Sequence, residues 1–83
     1  MQYVDVRNQE KRKEFVEVLE SNNFKYMEDN KEKIIFSKLP IVVDLEELTI
    51  RLIGNVTVAA AAYTSGALID AQSFLEKNNL MVK

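Results

Sequence analysis

From Leu52 to Ile69 the chain runs for 18 residues without a charged side chain, between Arg51 and Asp70. A stretch of this kind must leave water for the chain's own core, for a partner, or for a bilayer. A bilayer-spanning helix needs about 20 mostly apolar residues. Here Gly54, Asn55, Thr57, Thr64, Ser65 and Gly66 interrupt the run, and much of the rest is alanine, which gains little on transfer. A buried or oligomer-facing helix is expected, not a membrane span.

The remainder of the chain has the opposite character. Residues 1–38 hold eight basic and eight acidic side chains, so they read as solvated surface elements, while the second half supplies most of the core. Eighty-three residues without a linker rich in Pro, Gly or Ser make one domain, residues 1–83. With 47% apolar and 29% charged residues the chain is too hydrophobic for intrinsic disorder. A net charge of −2 points no strong field at nucleic acid or anionic lipid.

The chain has no His, Cys or Trp, which removes thiol nucleophiles, disulfides, thiolate or imidazole metal sites and the usual neutral-pH proton shuttle. Absent cysteine fits a reducing cytoplasm, and Met1–Arg7 lacks the apolar stretch of a signal peptide. A cytoplasmic location is expected.

Local signals suggest a small α+β fold. Tyr3–Val6 reads as a strand. Asn8 caps a helix to about Asn22, with Phe15, Val16 and Leu19 inward and a Lys13–Glu17 pair on the wet side. Phe24–Glu28 and Lys33–Ser37 look like two strands joined by a turn at Asp29–Glu32, placing Glu28 opposite Lys33 and Tyr26 opposite Ile35. After Pro40, Asp44 and Glu47 form a capping box, with Val43 and Leu48 as a hydrophobic staple. This predicts a helix over 44–53, with Arg51 in its last turn and Gly54 as its stop.

Residues 56–63 read either as a buried strand or as a helix capped by Asn55, with a break or weak spot at Thr64-Ser65-Gly66. In either case Ala67, Leu68, Ala71, Phe74 and Leu75 predict a helix over 67–77. Leu19-Glu20-Ser21-Asn22-Asn23-Phe24 is echoed by Leu75-Glu76-Lys77-Asn78-Asn79-Leu80, a helix meeting two asparagines before an apolar piece. The echo suggests Leu80–Val82 as a final strand. The expected architecture is a sheet of two to four strands packed by two or three helices, in the order β-α-β-β-α(-α)-β. That order is compatible with a ferredoxin-like arrangement.

Chemistry is harder to find. A Ser–Lys nucleophile has no spacing to single it out, and Glu10, Glu14, Glu17, Glu46 and Glu47 sit where capping or solvation explains them. Glu28-Asp29-Asn30 is better explained by a turn than by a cation site, and Gly54 and Gly66 make no phosphate loop. No catalytic, cofactor or metal residues are therefore assigned. Arg7, Lys11, Arg12 and Lys13 form a basic cluster that, with Phe24, Tyr26 and Phe36 on a sheet, could meet nucleic acid. The alanine run offers the sharper feature, since small side chains let another backbone approach closely. The expectation is a non-catalytic interaction or regulatory protein that forms a homodimer or binds another protein, with Ala59, Ala60, Tyr63 and Ala67 as the contact surface. A nucleic-acid-binding accessory protein is the alternative.

Overall fold

The first strand, β1 (Gln2–Asp5), leads into a helix, α1 (Gln9–Ser21), whose start is set by the Asn8 side chain accepting a hydrogen bond from the Lys11 N–H at 3.0 Å. Phe15, Val16 and Leu19 line its buried side, joined by Arg12. The structure, a computed structural model, describes residues 1–54 and 56–82, apart from the side chains of Val56 and Thr57. The expected Asn55 cap lies outside the described residues.

The paired-asparagine echo marks one repeated helix ending. Asn23 and Asn79 both take positive φ, 70° and 54°. The next N–H donates five residues back in each case, Phe24 to Leu19 at 3.1 Å and Leu80 to Leu75 at 2.9 Å. The first asparagine of each pair donates its side-chain amide to the carbonyl four residues before, at 2.8 Å both times. Asn22 reaches further, to the Met81 carbonyl at 2.9 Å. Residues 80–82 form no strand, and that bond helps to hold the segment against α1.

Three expected elements are replaced by others. After β2 (Lys25–Tyr26) comes a six-residue helix, α2 (Lys31–Phe36), where a second hairpin strand was expected. Asn30 caps it by accepting from the Lys33 N–H at 2.8 Å, and Ile34 and Ile35 turn inward. Glu17 and Glu20 bind Lys31 at 3.6 and 2.7 Å, so Glu17 faces α2 instead of Lys13.

The expected helix over 44–53 is a hairpin of β3 (Ile41–Asp44) and β4 (Thr49–Leu52). Asp44 does accept from the N–H groups of Glu46 and Glu47, at 3.0 and 3.1 Å, but they belong to the turn. Leu48, at φ 56°, reverses the chain before Thr49 pairs with Asp44.

The uncharged stretch forms the end of β4, a helix α3 (Val56–Ser65) and most of β5 (Leu68–Asp70). Gly66, at φ 70°, ends α3, and the chain turns directly into strand where helix 67–77 was expected. A shorter helix, α4 (Ala71–Lys77), follows, capped by Asp70, which accepts from the Ser73 N–H at 3.0 Å. Among the described residues no helix is long and apolar enough to cross a membrane.

Among the described residues the result is an α+β fold with one mixed five-stranded sheet, in the order β2-β4-β3-β1-β5, and four helices. β3 runs antiparallel to its neighbours β1 and β4, while β1 pairs with β5 and β2 with β4 in parallel. This corrects the expectation of two to four strands, of two or three helices and of the ferredoxin-like order. The crossovers β1-α1-β2 and β4-α3-β5 travel in opposite directions across the sheet. A shared hand then requires their helices on opposite faces, and that is where they lie.

On one face Val4, Ile41, Val43, Ile50 and Leu52 meet α1, α2 and α4 through Phe15, Leu19, Ile34 and Phe74. The Phe15 and Phe74 rings meet edge to face at 5.7 Å. On the other face Val42, with Tyr3 and Leu68 beside it, meets Ala59 and Ala62 of α3. Central β3 is thus buried on both sides.

Candidate interaction surface

α3 is built from residues that favour helix through alanine and that carry no charge at any position. Ala59 and Ala62, 3% and 5% exposed, form its inner side. Their small size lets the helix lie close to Val42, Tyr3 and Leu68. Val58, Ala60 and Ala61 are exposed on the outside, and Ala67 is exposed just beyond the helix. The expected contact residues therefore divide. Ala59 belongs to internal packing, while Ala60, Tyr63 and Ala67 remain accessible.

Tyr63 joins the two sets of residues that the sequence singled out. Its hydroxyl donates to Asp5 Oδ1 at 3.2 Å, and the Arg7 guanidinium lies 4.9 Å over its ring. Arg7 Nε is 3.4 Å from the same Asp5 oxygen. This Asp5–Arg7–Tyr63 cluster pins the C-terminal end of α3 to the end of β1.

The remaining basic residues diverge. Arg12 is fully buried, donating from Nε to the Ile34 carbonyl at 2.8 Å and from Nη1 to the Val6 and Leu39 carbonyls at 2.8 and 2.9 Å. Burial lowers its pKa, with the Tyr63 and Asp5 charges acting the other way. Lys11 shares with Arg7 a cleft of about 510 Å³ between α1 and α4, beside Asp5, Glu14 and Asp70. Lys13 lines a groove between α1 and α2 beside Phe36. The rings also separate: Phe24 is buried, Tyr26 packs on the core, and Phe36 stands exposed on α2. Arg7 and Lys11 thus share a cleft that also carries Asp5, Glu14 and Asp70, Arg12 is buried, Lys13 lies apart in the other groove, and the three rings do not come together.

Three carboxylates have their pKa lowered by groups that hold turns together. Asp29 is held by Lys33 at 2.9 Å and by the Leu52 N–H, against opposing burial. For Asp44 the main cause is the Glu47 N–H, and for Asp70 it is the Ser73 hydroxyl at 2.6 Å.

A surface missed in the sequence lies on the α3 side of the sheet. Met1, Met27, Val42, Thr49 and Arg51 line an open groove of about 350 Å³, with Glu28 and Asp44 also on its walls. Arg51 Nη2 touches the Met1 sulfur at 3.8 Å. Reading 41–52 as a hairpin would have revealed it, since Val42, Asp44, Thr49 and Arg51 then share a face. The chain matches no protein-family model, and no curated protein or solved structure is significantly similar to it.

Proposed function

We propose that this protein works by association, as a small interaction module that pairs with a second copy through the outer side of α3. The observation that carries this reading is the charge-free exposed side of α3, with Val58, Ala60 and Ala61 in water. A two-fold contact sets a surface against itself, so like charges at its centre repel. The outer side of α1, with Glu10, Lys11, Lys13, Glu14 and Glu17 exposed, must match opposite signs to do the same. α3 meets no such constraint. The Asp5–Arg7–Tyr63 cluster supports the reading by fixing one end of the helix, which limits the ordering cost of association.

Light scattering over a concentration series tests it. The wild-type mass should rise to twice that of the monomer, while Ala61→Glu stays monomeric with an unchanged circular dichroism spectrum. A wild-type chain that remains monomeric up to about 1 mM, the scale of very weak association, overturns the proposal.

A further inference from the structure

We infer that the open half of the sheet face beside α3 receives α3 of the second copy, so that the two helices form a shared layer between two sheets. This rests on the self-association proposed above and gives it a geometry. Five strands about 4.8 Å apart make a face about 24 Å across, and a helix with its side chains is about 10–12 Å wide. α3 packs over Tyr3, Val42 and Leu68, on β1, β3 and β5. Ile53, just past β4, is buried in the same cluster as Ala59 and Ala62, and the rest of β4 with β2 is left uncovered, a strip about one helix wide. The other three helices pack on the opposite face through Phe15, Ile34 and Phe74. Among the described residues the chain therefore has no second helix of its own for this strip.

Several observations favour a second α3 as the occupant. The groove adjoins α3 directly, because Val42 beneath α3 is also part of the groove lining. Met1 and Met27 stand 70% and 48% exposed around it, unbranched side chains that can close over an incoming helix. Glu28, Asp44 and Arg51 on the walls carry both signs, so an uncharged helix meets no like charge there, provided these groups keep their contact with water at the rim.

Area points the same way. α3 is about 15 Å long, so helix against helix alone covers roughly 300 Å² per partner, against about 800 Å² in a stable interface. Two-fold docking adds the groove twice, once on each copy.

The absence of cysteine from the chain makes the test direct. Ala61→Cys and Met27→Cys place single thiols at exposed positions, one on α3 and one at the groove. The variants are treated with a short bis-maleimide, each alone and as an equimolar mixture in which the Met27→Cys chain carries a mass tag. Ala61→Cys should link to itself, and the mixture should give the mixed-mass species in comparable yield. Met27→Cys alone should give no linked dimer, because the two grooves lie on opposite sides of the helix pair.

Self-linked Ala61→Cys without the mixed species overturns the groove docking and leaves helix pairing standing. No linkage in any sample overturns both. A mixed species without Ala61→Cys self-linkage, as would follow from docking without a helix pair, overturns the shared layer.

Discussion

Arg12 is a cation with no access to water and no carboxylate bonded to it; its partners are three backbone carbonyls. The register of β1 with β3, continued past Val4 and Ile41, would bring Val6 opposite Leu39. Arg12 Nη1 donates to both of those carbonyls, so the side chain fills the place where the two strands splay apart. Nε ties in α2 through Ile34. The planar fork suits this task, whereas a lysine is a point charge and cannot span the same three oxygens. Arg12→Met keeps much of the volume but leaves three carbonyls without donors. It should lose about 3 kcal/mol in urea unfolding, with Arg12→Lys between the two. A Met variant within about 0.5 kcal/mol of wild type, the range of ordinary surface substitutions, would remove Arg12 from this role. In the sequence Arg12 reads as one member of a basic cluster. Its burial depends on lying three residues before Phe15 on the inward stripe, a spacing that is visible, and on carbonyls supplied by three distant segments, which is not.

At the scale of elements, α3 has two sides of similar composition and different duties. Ala59→Leu forces three extra carbons between α3 and Val42 and should cost about 1–3 kcal/mol, with the transition midpoint as readout. Ala60→Leu adds the same carbons on the outer side, where nothing in the chain's own fold crowds them, and should leave the midpoint nearly unchanged at concentrations too low for association. Equal losses for both variants would mean that α3 is turned differently. Short elements explain why part of the fold was illegible in the sequence. α2 has six residues and β5 three, too few for a helical or alternating period to register, and Ile34-Ile35-Phe36 carries strand-like residue types. Asp44 misleads for another reason: a side-chain oxygen that accepts two successive N–H groups can open a helix or tighten a four-residue hairpin loop. Here the positive φ of Leu48 and the pairing of Thr49 with Asp44 decide for the hairpin. The asparagine pairs were legible because the ending they form is wholly local. The interaction surface was legible in part: the alanine run pointed to α3, whereas the groove needs β3, β4 and β1 assembled.

For the whole molecule, acidity should act through the turns. Asp29, Asp44 and Asp70 titrate below their ordinary range in the folded chain, so their contribution to stability is present above the unfolded value of about 3.9 and is lost as pH falls through the folded values. Without histidine, no side chain has an unperturbed pKa between pH 5 and 8. The urea midpoint should therefore stay level down to about pH 5 and fall steeply below about pH 4. Asp44→Asn keeps an acceptor in the hairpin turn but does not titrate, and should flatten part of that fall. A midpoint unchanged at pH 3 would refute this account.

The pairing of β1 with β5 also spans more sequence than any other pairing in the sheet. Tyr3 meets Leu68, a partner made 65 positions later. On its other edge β1 meets β3, Tyr3 with Val42, across only 39 positions, so the β5 pairing needs the longer chain closure. α3 carries β5 across two strands to reach its edge of β1, and it packs on both Tyr3 and Leu68 once there. Completing both edges of β1 therefore ties together the two ends of the fold, and does so through the longer of its two closures.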